Sequence, residues 1–302
     1  LLTRDPNHPS NARTAAESSL TLAKKLHNTQ QLDSAKQYAE QTIEIITATT
    51  ADSLPLEKDQ SVLASAHFEL GQILNAGGES NKATELYQNS IAGYTELVTA
   101  FPEKLNYQFQ LARALGEEAD IAFATANSEA SVINNDAIEI LNWLIKKSPT
   151  NRYKFEKARR LTAFTRSFET AFSSGAESTA ALNILRDLIK KEPNNFIYQN
   201  EIASLYRQLA DLHKEAGDKD KTVEFSRQTV LHVKNLLTKD IDVENDNSKK
   251  NHYKQMLARD YGKLGWHLAS TGEEKDIPEA KTSFKTAQDY CQQILDIDPT
   301  NG

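Results

Sequence analysis

The stretch "NWLIKKSPTNRYKFEKARRL", residues 142–161, is answered 44 residues later by "RDLIKKEPNNFIYQNEIASL", residues 186–205. Each carries Leu-Ile-Lys-Lys, one residue, a proline, one residue and an asparagine, with a tyrosine shortly after. The prolines are Pro149 and Pro193, and the tyrosines Tyr153 and Tyr198. A period of this length marks an array of small structural units, and it decides the fold before any single element is assigned.

The prolines extend the period in both directions. Pro6, Pro55, Pro102, Pro149 and Pro193 are spaced by 49, 47, 47 and 44 residues, and Pro299 follows after 106, close to two more periods. The place of the missing proline falls in "KDIDVENDNSKK", residues 239–250, which reads as a longer acidic and polar loop. After the prolines come aligned segments: "DQSVLASAHFELG" from Asp59, "YQFQLARALGEEA" from Tyr107, "YKFEKARRLTAFT" from Tyr153, "YQNEIASLYRQLA" from Tyr198 and "YKQMLARDYGKLG" from Tyr253. Each has alanine at its sixth position: Ala64, Ala112, Ala158, Ala203 and Ala258. Each ends on a small or short residue: Gly71, Ala119, Thr165, Ala210 and Gly265. A weaker copy runs from Asn11 to Ala23.

Two helices per repeat account for this pattern. In the first helix, apolar residues recur at steps of three and four, as in Leu161, Phe164 and Phe168, or Tyr206, Leu209 and His213; that is one helix face. Small residues fall where a neighbouring helix must approach closely. Turn-rich breaks follow: "NAGGES", "SSGAES", "EAGDKD" and "STGEEKD". The second helix carries the pairs Ala83 and Tyr87, Ala137 and Leu141, Ala181 and Leu185, and Ala280 and Phe284, four residues apart on one face. Proline then closes it, because the residue before proline avoids helical geometry.

These residues resemble the tetratricopeptide repeat (TPR). The family pattern is met by His67, Leu70, Gly71, Leu74, Ala83, Tyr87 and Ser90, and again by Tyr261, Leu264, Gly265, Leu268, Ala280, Phe284 and Ala287 with three extra residues in the turn. The resemblance covers nearly the whole chain. It departs from the usual shorter period, and looks like the long-repeat variety of multi-domain bacterial signalling proteins. The expected fold is all-α, a TPR-like superhelix of about six helix pairs in a single solenoid, with repeats at 11–55, 56–102, 103–149, 150–193, 194–248 and 249–302. Residues 1–10 read as the tail of a preceding repeat, which suggests a fragment of a longer protein.

Composition narrows the function classes. Among 302 residues the formal net charge is −7, which argues against a general binder of phosphate backbones. The lone Cys291 forms no internal disulfide and reads as a small apolar residue buried in a helix. No apolar run approaches a membrane span, and the N-terminus has no signal-peptide pattern. The expected compartment is the cytoplasm, with the periplasm, as part of a membrane-anchored parent, as the alternative.

Catalytic signatures are missing: no Gly-rich phosphate loop, no His-Glu-x-x-His, no Cys-x-x-Cys and no nucleophile elbow. The seven histidines are scattered rather than clustered as metal ligands, and His67 and His213 occupy packing positions. Tyr107, Tyr153, Tyr198 and Tyr253 open successive first helices and read as packing between repeats. No cofactor, metal or enzymatic activity is expected of this segment.

Charge gives the one candidate site. In TPR proteins, matching places on the first helices line the concave groove. The resemblance therefore puts Arg113, Arg159, Arg166, Arg207, Arg259 and Trp266 in that groove, with Asp120 and Asp211 placed to pair with the arginines. The other reading of the same residues is a solvated face with ion pairs between repeats. The Lys and Asn set of the chaperone-binding carboxylate clamp is not found. Two functions remain open: a scaffold for a protein or peptide partner, acidic if the arginines meet it, or the regulatory region of a larger signalling enzyme such as a bacterial Ser/Thr protein kinase.

Overall fold

The computed structural model describes residues 9–51, 56–166, 175–239 and 247–296. These residues form helices, two short 3-10 turns and no strand. In chain order the helices are α1 (Pro9–Asn28), α2 (Leu32–Thr50), α3 (Glu57–Ala76), α4 (Ser80–Ala100), α5 (Leu105–Ala124), α6 (Ala130–Lys147), α7 (Asn151–Ala163), α8 (Gly175–Lys191), α9 (Phe196–Glu215), α10 (Lys219–Lys239), α11 (Asn247–Thr271) and α12 (Ile277–Leu295). The 3-10 turns are Phe164–Arg166 after α7 and Glu274–Asp276 before α12. Among the described residues five hairpins are formed, α1 with α2, α3 with α4, α5 with α6, α9 with α10 and α11 with α12. Contacts divide the chain into two compact units, residues 1–156 and 157–302, and the division falls inside α7.

The two helices of a hairpin bury different amounts of themselves, and the sequence shows why. Second helices bury one stripe. In α4 it is Ala83, Tyr87, Ser90, Tyr94 and Leu97, and in α6 Ala130, Asn134, Ala137, Leu141 and Leu144. Both follow alternating steps of four and three, the spacing of a single helix face. First helices are buried on two sides. In α3 the run from Ala64 includes Ala66, Phe68, Leu70, Gly71, Ile73 and Leu74, positions that circle most of the helix. In unit 1, α3 packs on α2 and α4, and α5 on α4 and α6; in unit 2, α11 packs on α10 and α12. The first helices therefore form the inner layer of each unit. Burying one Leu, Ile or Phe side chain contributes about 1.5–3 kcal/mol, so most stabilisation comes from this layer.

Small residues set the helix spacing. An ideal Cβ on Gly93 of α4 would stand 3.0 Å from the Cβ of Ala64 of α3. The fixed alanine and a glycine opposite it thus let the two backbones come close. Ala112, Ala158 and Ala203 are likewise fully buried. The repeating tyrosines pack as expected: Tyr107 lies edge-on to Phe101 with ring centres 6.4 Å apart, and Tyr153 tilts onto Phe109 at 5.1 Å.

Four hairpin turns share one backbone device. The amides of Gln31, Glu79, Asn127 and Asp218 donate to the carbonyls of Leu26, Leu74, Ala122 and His213, five residues back, at 2.8–2.9 Å. The residue before each of those amides is left-handed: Gln30 (φ 60°), Gly78 (φ 83°), Ala126 (φ 54°) and Gly217 (φ 76°). This is the Schellman closure of a helix C-terminus, which glycine enters without strain. Second helices stop before proline, α4 at Ala100, α6 at Lys147 and α8 at Lys191.

Two sequence expectations change. Cys291 is exposed, not buried, because it lies on the outer side of α12. Phe284 is 41% exposed, unlike its counterparts Tyr87, Leu141 and Leu185, which are fully buried. Pro9 and Ser10 of the expected stub at 1–10 belong to α1, and of the expected loop at 239–250 Lys239 ends α10 while 247–250 open α11; the rest of both, Phe168, part of the "SSGAES" turn, and Pro6, Pro55 and Pro299 fall outside the described residues.

Candidate functional site

Successive first helices are joined by side chains one repeat apart. In unit 1, Arg13 of α1 donates through two nitrogens to the carboxylate of Asp59 of α3, which is 4% exposed; the Nη2–Oδ2 distance is 2.8 Å. His27 of α1 meets Glu69 of α3, Nδ1 to Oε1, at 2.8 Å. Glu57 of α3 accepts from Tyr107 of α5 and from Lys104. Those two donors hold the Glu57 carboxyl below the usual carboxylate range. Arg113 of α5 lies with its guanidinium 4.6 Å from the centre of the Phe68 ring and donates to Gln110 at 3.1 Å. Nearby, burial beside Glu117 and Asp120 pushes the Tyr87 phenol upward.

Unit 2 repeats the arrangement between α9 and α11. Arg207 of α9 donates to both oxygens of Asp260 of α11, at 3.1 and 2.8 Å. Arg259 adds a bond to the same carboxylate at 3.1 Å. Asp211 of α9 accepts from Lys263 of α11 at 2.9 Å on both oxygens. One turn further, the Lys214 ammonium lies 4.6 Å from the centre of the Trp266 ring, and that ring is 50% exposed. Beneath them, His267 shares a 2.7 Å hydrogen bond with Ser226 of α10, and burial pushes its imidazole downward.

The named site residues thus separate. Arg207, Arg259, Asp211 and Trp266 gather on α9 and α11 of unit 2. Arg113 and Asp120 lie on α5 of unit 1. Arg159 is half-buried on α7 within unit 2 and is engaged with neighbouring groups. Arg166 ends the 3-10 turn after α7, and its side chain lies outside the described atoms. The partner of Arg207 is Asp260, which sequence reading did not single out, and Asp211 meets a lysine rather than an arginine. Asp260 is 2% exposed, so its charge is compensated almost entirely by Arg207 and Arg259.

A separate apolar concavity of about 320 Å3 in unit 2 is walled by Leu182, Leu209, Leu212 and Phe225. Gly175, which follows the undescribed residues 167–174, also lines it. Among the described residues, no group of three His, Cys, Asp or Glu side chains is placed to hold a metal ion. Among them, no helix is long and apolar enough to cross a membrane.

No protein-family model matches the sequence, and no curated protein matches it. Solved structures do resemble it. The nuclear import adaptor Nro1 of S. pombe superimposes with a TM-score of 0.56 at 14% identity, over 96% of this chain and 100% of that one. A second structure of Nro1, described as a hypoxic regulator of sterol synthesis, gives 0.54 at 13% identity, over 96% and 94% of the two chains. A putative kinesin light chain of Podospora anserina with nearly identical TPR-like repeats gives 0.40 at 20% identity, over 74% and 96%. The fold of this chain is an all-α array of helix hairpins, similar to that of Nro1.

Proposed function

We propose that this chain is a non-catalytic protein-interaction scaffold, and that the first helices of unit 2 take an acidic segment of a protein partner. The observation that carries this is the charge at α9 and α11. Among the side chains named there, four cations, Arg207, Arg259, Lys263 and Lys214, stand with only two carboxylates, Asp211 and Asp260. Two carboxylates from a partner would complete the balance. Arg259, whose side chain is 52% exposed, is free on its outer side to offer a two-pronged contact. Trp266, seven residues along α11, gives a flat apolar surface of the kind that anchors interfaces. Stacked repeats with such an inner layer form extended binding surfaces, and Nro1 is an adaptor with a similar fold. Fold likeness alone does not name the partner.

The test is a panel of labelled peptides, acidic and neutral, titrated against the wild type and an Arg259→Ala, Trp266→Ala double variant. Acidic peptides should bind the wild type in preference to neutral ones. Their affinity should fall as salt rises, because exposed charges are screened beyond about 8 Å at physiological ionic strength. The double variant should lose about tenfold or more, the effect of removing an interface anchor. Equal binding of acidic and neutral peptides, or no loss in the variant, would retire the acidic-partner reading.

A further inference from the structure

Two grooves of the same build carry opposite charge. In unit 1 the groove lies over α3 between α2 and α4, and opens as a cavity of about 180 Å3 whose walls include Asp59, Gln60 and Glu96. There Gln60 donates its side-chain amide to the Glu96 carboxylate, and Arg13 holds Asp59. In unit 2 the groove lies over α11 between α10 and α12. It opens as a cavity of about 520 Å3, walled by Leu237, Lys250, Lys254, Asp289, Tyr290 and Gln293. The two hairpins share one register, because Gly71 faces Tyr87 in the first and Gly265 faces Phe284 in the second. Counted from those pairs, Lys254 stands where unit 1 has Gln60, and Gln293 where it has Glu96.

The charge has thus changed helix and sign, and its partner is gone. Lys254 is 8% exposed, yet no carboxylate or other acceptor among the described residues meets its ammonium. Lys250, four residues earlier on the same face, is half-buried and also without an ion pair among them. Asp289 of α12 lines the same cavity but bonds to neither lysine. Taking an ion out of water is expensive, so a buried charge is ordinarily paired. Unit 1 supplies that pairing within its own groove; the described residues of unit 2 do not. A groove of this kind stays open inside an array: α5 packs on α4 in unit 1, and the cavity over α3 remains.

We propose that the unit 2 cavity binds a small phosphate monoester, with its phosphate between Lys250 and Lys254 and one of its hydroxyls donating to Asp289. The volume falls within the range of small-molecule sites, about 300–1,000 Å3. Two ammonium groups match a dianion. A phosphate ester carries about −1.5 to −2 near neutral pH on three acceptor oxygens, and lysine serves phosphate as a point charge. A carboxylate brings only one charge. Asp289 repels the phosphate and so suits a hydroxyl farther along the ligand, where Leu237 and Tyr290 wall its carbon frame. The Gln293 amide adds a neutral donor.

The probe is glucose 6-phosphate, titrated calorimetrically against the 302-residue chain, with glucose, glucuronate and inorganic phosphate as companions. Saturable binding of glucose 6-phosphate is expected, at or below about 1 mM. Glucuronate and inorganic phosphate should bind more weakly, and glucose not at all. Lys254→Gln should weaken glucose 6-phosphate about tenfold or more, the loss of a charge-assisted contact. Asp289→Asn should weaken it without weakening inorganic phosphate. Gln293→Glu restores the carboxylate that unit 1 has at Glu96; it should abolish phosphate binding and raise the melting temperature, which also shows that the variant is folded. Acidic-peptide binding at Arg259 should persist in all three variants, which separates the two surfaces. No saturable binding of glucose 6-phosphate up to about 10 mM would overturn the proposal. So would undiminished binding by Lys254→Gln or Gln293→Glu, or tighter binding of glucuronate, which would give the cavity to a carboxylate.

Discussion

Gly71 of α3 stands so close to Tyr87 of α4 that the smallest side chain would meet the ring at 2.7 Å. Tyr87 is fully buried and cannot swing aside. Gly71→Ala should therefore destabilise by about 1–3 kcal/mol, the range for overpacked cores. Gly265 has the same relation to Phe284 at 3.0 Å, but Phe284 is 41% exposed and can yield. Replacing a mid-helix glycine by alanine also gains about 1 kcal/mol of helix propensity. Gly265→Ala should be close to neutral. Thermal melts of the two variants decide the matter, and equal losses would mean that exposure does not control the cost.

Asp260 and Asp211 both bridge α9 and α11, yet they should matter very differently. Asp260 is 2% exposed and its loss leaves Arg207 facing a buried gap. Asp260→Ala should cost about 2–4 kcal/mol, near the range for breaking a buried pair. The Asp211 side chain is 48% exposed, so Asp211→Ala should cost less than about 1 kcal/mol. Chemical denaturation of each variant measures the difference.

Acid should weaken the protein through its histidines. Burial, with the Arg186 guanidinium adding to it, pushes the His232 imidazole down to about 4. Burial also lowers His67 and His267. A lowered histidine stays neutral in the folded state while the unfolded chain takes up a proton. Its stabilising effect is complete above the ordinary value of about 6.5 and is lost as pH falls toward 4. The denaturant midpoint should thus drop between pH 7 and pH 5. His232→Phe keeps a ring on Tyr206, where the centroids are 5.6 Å apart, and should flatten part of that drop. An unchanged slope would assign the acid sensitivity elsewhere.

Ala126 takes the left-handed place that glycine holds at Gly78 and Gly217. An L-residue there costs about 1–2 kcal/mol. Ala126→Gly removes that strain but gives the unfolded chain more freedom, a loss of about 0.4–1 kcal/mol. A net gain of roughly 0.5–1 kcal/mol is expected, seen as a higher melting temperature. Gly78→Ala should show the opposite sign.

The hairpins were legible in the sequence because their signals are local. Pro102, Pro149 and Pro193 punctuate the second helices, the tyrosines from Tyr107 to Tyr253 open first helices, and Ala64 and its counterparts mark close crossings. What lies between repeats was harder to read. Asp260 looks like any surface carboxylate next to Arg259, and its burial depends on Arg207 reaching it from 53 residues away. Phe284 carries the same apolar signal as Tyr87, since periodicity tells which face is apolar and not whether anything covers it. Cys291 was misjudged for that reason.

The side chains that join successive first helices have a kinetic consequence. Arg13 and Asp59 are 46 residues apart, His27 and Glu69 are 42, Lys104 and Glu57 are 47, Arg207 and Asp260 are 53, and Lys263 and Asp211 are 52. Each closes a loop of about one repeat, so each step of assembly meets nearly the same entropic barrier. Helical proteins with contacts this local fold quickly. During synthesis, each bridge can form as soon as one further first helix has left the ribosome, and Arg13 can find Asp59 long before residue 260 has been made.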